Sequence, residues 1–91
     1  METLSQMELR HTNEKLQHIQ KCGGDRNALR IEHQRNLDAL VGQEYGSIKR
    51  AKLLIKHSSE LRELLAVNAD LWSKMIARHK EELQAQSILC C

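Results

Sequence analysis

The chain is poor in aromatic residues and in valine. It contains no phenylalanine, and Tyr45 and Trp72 are its only aromatic residues in 91 positions. Val41 and Val67 are its only valines. Because β-sheets and globular cores are rich in aromatic and β-branched side chains, this composition excludes a β-sandwich and argues against any sheet.

Proline is absent and there are only four glycines, so few residues interrupt a helix. Leu, Glu, Gln, Lys, Arg and Ala are abundant, and all of them favour helix. A chain of 91 residues makes one domain at most. We therefore predict a single all-α domain over residues 1–91, built as a helical hairpin or a small helix bundle.

Three cysteines are too few for a disulfide framework, which indicates a reducing, intracellular setting. No apolar run approaches the ~20 residues that a membrane-spanning helix needs. We expect a soluble protein, and the cytoplasm is the compartment that these two observations favour.

The glycines divide the chain into predicted helices. Helix 1 covers about residues 2–22, with Leu9, Leu16 and Ile19 on its apolar side, and we expect it to end at Gly23 and Gly24. Helix 2 covers about residues 26–42, helix 3 about residues 47–86, and residues 87–91 form a tail. Two alternatives stay open for Gly42 and Gly46: they form a turn, or helices 2 and 3 are continuous.

The long C-terminal helix is predicted to be amphipathic. A heptad register starting at Leu37 places leucines and Trp72 at the core positions of a coiled coil, with polar interruptions at residues such as Asn68 and His79. The apolar arc exceeds 100° in width, which is typical of a helix that contacts two neighbours.

Residues 1–42 offer little apolar surface to cover this arc. A monomer this small gains only about 3–5 kcal/mol from its core. We therefore expect oligomerisation to complete the fold, as a homodimer or else with another helical protein. The predicted interface residues are Leu54, Leu61, Leu64, Leu65, Leu71, Trp72, Met75 and Ile76.

The middle of the chain is basic. Residues 25–57 hold seven bases against four acids. Such a surface suits an anionic partner, and double-stranded RNA is favoured over single strands because it is recognised by shape without aromatic stacking. The candidate residues for nucleic acid or another anionic partner are Arg26, Arg30, Arg35, Lys49, Arg50, Lys52 and Lys56. The alternative interpretation is a solvated helix face.

The adjacent cysteines Cys90 and Cys91 form a pair that resembles the double-cysteine tail of membrane-trafficking small GTPases, which is doubly prenylated. The resemblance covers these two residues alone, since no phosphate-binding loop is present. It implies membrane association only if Cys90 or Cys91 carries a lipid.

No combination of residues predicts catalysis or a cofactor. His18 and Cys22 lie one helical turn apart, but two ligands do not make a metal site. No nucleophile has a visible partner base. We therefore expect a non-enzymatic oligomerisation module that scaffolds a complex, with no metal and no cofactor. A small protein that binds RNA or DNA is the alternative, and a lipid-anchored adaptor is the third hypothesis.

Overall fold

The computed structural model describes residues 2–90 and the side chains of residues 2–87. This part of the chain forms two helices, α1 (Leu4–Asp38) and α2 (Gly46–Cys90), and contains no strand. The helices pack antiparallel as a hairpin whose Cα atoms extend over 71 × 16 × 11 Å. The predicted all-α hairpin with a long C-terminal helix is confirmed. Cys91 and the side chain of Cys90, where a lipid was considered, lie outside the described residues.

Helix α1 begins with a capping box. The Thr3 hydroxyl accepts a hydrogen bond from the Gln6 backbone N–H at 3.1 Å, and the Thr3 N–H donates to Gln6 Oε1 at 2.9 Å. These two bonds pair backbone donors that the first helical turn leaves without partners.

The predicted break at Gly23 and Gly24 is wrong, because α1 runs through both glycines to Asp38. A methyl group at either position would meet nothing within 4 Å, so no close approach requires glycine there. Each glycine costs a helix about 1 kcal/mol relative to alanine, and contacts with α2 on both sides of the pair offset that cost. Asp25 lies inside the helix, and its carboxylate forms a 3.0 Å ion pair with Lys21.

The chain turns at residues 39–45, which settles the open alternative around Gly42 and Gly46. Gly42 adopts φ 79°, a left-handed conformation that ends a helix readily when no Cβ is present. Gly46 starts α2 so close to the preceding turn that a Cβ there would lie 3.3 Å from the Leu40 carbonyl oxygen. Tyr45 also has a positive φ of 59°, which is uncommon for a bulky side chain.

Helix α2 is uninterrupted from Gly46 to Cys90. The prediction of one continuous helix over about residues 47–86 is confirmed. The predicted tail is wrong as far as residue 90, because the helix continues through residues 87–90.

The surfaces on which α1 and α2 face each other, here called the seam, repeat every 11 residues. His11, Cys22 and His33 follow this spacing on α1. His57, Asn68 and His79 follow it on α2. Eleven residues make three turns of 3.67 residues, close to the ideal 3.6, so a pattern with this period stays on one side of a nearly straight helix. A heptad register continuing from Leu37 across the glycines is therefore wrong.

The seam is polar where it is most deeply buried. Within residues 2–87, the buried side chains are Met7, His11, His57, Asn68 and His79. Met7 is the only hydrophobic one among them. Leu9 and Leu16, on the expected apolar side of helix 1, are more than half exposed and do not face α2, and Ile19, 57% exposed, only borders a groove that Trp72 also lines. The hairpin thus buries polar groups and leaves its large apolar side chains at the surface.

Candidate interaction face

Six apolar side chains line one flank of α2, directly beside the seam. They form two interleaved series with the 11-residue period, so all six lie on the same side of the helix. We call them the apolar stripe: Leu54, Leu61, Leu65, Trp72, Ile76 and Leu83. The four leucines are 39–43% exposed. Trp72 and Ile76 are half-buried.

The stripe borders two open grooves between the helices. One groove of about 670 Å³ lies between Leu54 and Leu61 of α2 and Arg26 and Arg30 of α1. The next, of about 480 Å³, is lined by Trp72 of α2 and again by Arg26. Because Arg26 lines both grooves, they lie on one side of the hairpin, which we call face A.

Five of the eight predicted interface residues lie on the apolar stripe, and three do not. Leu64 contributes to a groove on the opposite side of the hairpin together with Ala28 and Glu32 of α1. Met75 lies 11 residues after Leu64 and shares its position in the seam. Leu71 is 42% exposed at the edge of the seam away from face A. Leu64 and Met75 are half-buried and help to hold α2 against α1.

The predicted basic residues do not come together. Lys49, Lys52 and Lys56 surround Leu40 and Leu53 on the side opposite face A. Arg26 and Arg30, in contrast, lie on face A. Arg50 lies 11 residues before Leu61 and is in line with the apolar stripe. Arg35 is exposed on the outer side of α1. No single surface of the described chain collects all seven.

The open end of the hairpin carries a network of histidines and carboxylates. His11 and His79 stack with ring centroids 3.8 Å apart and planes 10° from parallel. His11 Nε2 donates to Glu82 Oε2 at 2.8 Å, and His79 Nε2 donates to Glu14 Oε2 at 2.8 Å. Each carboxylate therefore comes from the helix opposite its histidine.

Arginines complete this network. Arg10 binds Glu82 and also Glu14, the latter at 3.2 Å. Arg78 binds Glu14 as well. The Arg10 hydrogen bond, followed by that of His11, lowers the pKa of Glu82 to about 2. Hydrogen bonds from His79 and Arg10 lower the pKa of Glu14 below its ordinary value.

A second histidine pair lies nearer the turn. His33 and His57 stack with centroids 3.7 Å apart. His33 Nε2 lies 3.4 Å from Glu60, whereas the buried His57 Nε2 has no hydrogen-bond partner. Burial and then the charge of His33 lower the pKa of His57. Fewer carboxylates hydrogen-bond this pair of histidines than the pair at the open end.

Midway between the two histidine pairs, Asn68 is 6% exposed and lines the same groove as Cys22 and Trp72. Neither its Oδ1 nor its Nδ2 has a hydrogen-bond partner. Cys22 Sγ lies 3.2 Å from His18 Nε2, and the His18 ring is 5.4 Å from that of Trp72. A buried amide that lacks both partners costs free energy, which calls for an explanation.

Sequence reasoning missed the buried histidines and Asn68. The signal that reveals them is the 11-residue spacing, which places His57, Asn68 and His79 on one line of α2. A heptad register treats Asn68 and His79 as interruptions, because it expects apolar side chains at those positions.

Within the described residues, no group of three or more His, Cys, Asp or Glu side chains is arranged to hold a metal ion. No helix in that part of the chain is long and apolar enough to cross a bilayer. Comparisons of the chain with protein-family models, curated proteins and solved structures gave no match. The function is therefore inferred from the geometry of face A.

Proposed function

We propose that the protein is a non-enzymatic helical oligomerisation module in which two copies pack face A against face A. The observation that carries this proposal is the position of the apolar stripe, which the hairpin covers only in part. A homodimer converts the hairpin into a four-helix bundle, the arrangement in which an apolar arc of this width contacts two neighbouring helices. Such a bundle is a rigid frame on which a larger complex is organised.

The surface area of the hairpin supports association. Its accessible surface is 7128 Å². A compact monomer of 10.5 kDa exposes about 5,400 Å², since surface scales as 6.3 times mass to the power 0.73. The surplus of roughly 1,700 Å² exceeds the ~800 Å² that each partner buries in a standard stable interface.

The distribution of polar and apolar groups points the same way. Burial of apolar surface is the dominant favourable contribution to folding, yet Met7 is the only buried hydrophobic side chain within residues 2–87. Contiguous apolar patches of this kind mark interaction sites on soluble proteins. The stripe supplies the missing core once a second copy covers it.

A pair of matched substitutions on α2 tests this proposal. Leu65→Glu places a charge in the apolar stripe, and Ile55→Glu places the same charge on the outer side of the helix, where Ile55 is 73% exposed. We expect light scattering to give twice the 10.5 kDa chain mass for the wild type and for Ile55→Glu. Leu65→Glu is expected to give the mass of one chain, because a dimer would bury its carboxylate without a partner.

A wild type that stays at 10.5 kDa at millimolar concentration would contradict the proposal. So would a Leu65→Glu variant that keeps the dimer mass. Circular dichroism of both variants checks that the helices are intact, so that a loss of mass is not a loss of fold.

The nucleic-acid alternative retains one supporting observation, the exposed cluster of Lys49, Lys52 and Lys56. Because Arg26 and Arg30 lie on the other side of the hairpin, a duplex resting on the lysines does not reach them. Binding of duplex RNA measured across a salt series tests this alternative. If replacing all three lysines with alanine flattens the slope of log affinity against log salt concentration, the alternative is supported. If the wild type does not bind duplex RNA at physiological salt, the alternative is rejected.

A further inference from the structure

The spacing of the apolar stripe reads the same in both directions along α2. Successive members are separated by 7, 4, 7, 4 and 7 residues. An antiparallel copy of this pattern therefore coincides with the original. The dyad that relates the two copies lies between residues 68 and 69, next to Asn68.

We infer that the dimer forms by antiparallel packing of α2 on the α2 of a second copy, about a twofold axis beside Asn68 and Ala69. This inference rests on the proposed function and specifies its partner and register. The antiparallel pairs bring Leu54 opposite Leu83 of the second copy and Leu61 opposite Ile76. Leu65 lies opposite Trp72. All six stripe positions gain an apolar neighbour, as an isologous interface requires.

The composition of α1 on face A favours packing of α2 on α2. On the α1 side, Arg26 and Arg30 interrupt the apolar residues Ile19 and Leu37 that also border the grooves, and Lys15 lies 11 residues before Arg26 on the same flank. The apolar stripe carries no carboxylate. If α2 packed on α1 of the second copy, these three bases would be buried against leucines without acidic partners. Packing of α2 on α2 leaves them at the edge of the interface, where their charged ends reach water.

The length of α2 also agrees with this register. The dyad falls at the middle of Gly46–Cys90, so the two copies of α2 overlap over their whole length. A parallel arrangement in register would instead place Trp72 against Trp72 and each leucine against itself.

Asn68 lies beside the twofold axis but does not contribute to the interface. Its amide is covered within the hairpin and lacks partners for both Oδ1 and Nδ2, so it lowers the stability of the hairpin itself.

Disulfide trapping tests the orientation. Cys22, Cys90 and Cys91 are replaced by serine, and Leu54→Cys and Leu83→Cys are made separately in that background. Both sites are partly exposed, so the hairpin tolerates the changes. The two variants carry different mass tags, and they are mixed under reducing conditions and then oxidised with glutathione. The sites lie about 44 Å apart along α2, so a disulfide forms only where the register brings two cysteines together.

We expect the mixed disulfide between Leu54→Cys and Leu83→Cys as the dominant product, with same-site disulfides at the level of the cysteine-free background. Dominant same-site disulfides would overturn the antiparallel orientation. Absence of both products from a sample that has the dimer mass by light scattering would overturn packing of α2 on α2. Neither result affects the proposed dimer, whereas a monomer mass in the reduced samples would contradict the proposed function itself.

Discussion

The ring of His11 stacks on that of His79 across the hairpin, with centroids 3.8 Å apart, and each histidine hydrogen-bonds a carboxylate of the opposite helix. These contacts join the ends of the chain farthest from the turn. Because the carboxylates also bind arginines, their charged forms are strongly favoured in the folded state.

Acid is therefore expected to loosen the open end of the hairpin. The pKa of Glu82 falls from 4.5 to about 2 through its hydrogen bonds to Arg10 and His11. A group with a lowered pKa contributes its full stabilisation above the unfolded-state pKa and loses it as the pH falls towards the folded-state value. We predict a loss of stability between pH 4.5 and about pH 2, measured by thermal unfolding. Glu82→Gln is expected to cost about 1 kcal/mol at pH 7 and to weaken this acid dependence. Unchanged acid dependence in the variant would contradict the assignment.

A separate pH effect is expected near the turn. Burial lowers the pKa of His57, and His33 and Lys56 lower it further, whereas Glu60 and Glu32 oppose the change. The unfolded chain then binds the proton more tightly than the folded chain. The free energy of unfolding consequently has its full value above pH 6.5 and decreases as the pH falls below that value.

Replacing His57 with leucine tests this second effect. We expect His57→Leu to unfold with the same denaturant midpoint at pH 7.5 and pH 5.5, because the titrating group is gone. Ser58→Ala changes an exposed neighbouring residue, and we expect its denaturant midpoint to fall between pH 7.5 and pH 5.5 as that of the wild type does. A wild type whose midpoint does not fall between these two pH values would refute the effect.

Gly24 distinguishes a continuous α1 from a chain broken at the glycine pair. The residue is exposed and helical, and a Cβ there meets nothing within 4 Å. Gly24→Ala is expected to raise the free energy of unfolding by about 1 kcal/mol, since alanine is the better helix former. A turn with positive φ at Gly24 predicts destabilisation instead, and urea unfolding separates the two outcomes.

Asn68 is expected to lower the stability of the hairpin. Asn68→Leu removes a buried amide without partners, so we expect the free energy of unfolding to rise by about 1–3 kcal/mol, measured by urea unfolding. Ala66→Leu on the outer side of α2 is the control and leaves the stability unchanged. A less stable Asn68→Leu protein would show that the amide has partners in the folded state.

Composition was sufficient to predict the fold class. The absence of proline and the scarcity of aromatic residues leave helix as the only regular structure, and the α2 span from Ser59 to Gln84 contains no strong helix breaker. The helix boundaries were harder, because Gly23–Gly24 and Gly42–Gly46 look alike as local signals. Tertiary packing separates them, because the first pair lies between the seam residues Cys22 and His33.

The polar seam could not be found by weighting residues for hydrophobicity. Leu54, Leu61, Leu65 and Trp72 satisfy both a heptad and an 11-residue period over short distances, so the heptad register appeared sound. Asn68 fits the 11-residue period but not the heptad, and this difference becomes visible only when the spacing pattern along the whole of α2 is compared with that of α1. The charge pattern likewise shows how many basic residues a segment contains, but it does not show on which face of the hairpin each base lies.

Small-angle X-ray scattering of the wild type tests the central claim, that face A is covered by a second copy, most directly. The antiparallel dimer has twice the chain mass of 10.5 kDa and a long dimension close to the 71 Å of a single hairpin, because the two copies overlap fully. We therefore predict a doubled mass with an unchanged maximum dimension. A particle of one chain mass, or a dimer that is markedly longer than one hairpin, would contradict the account.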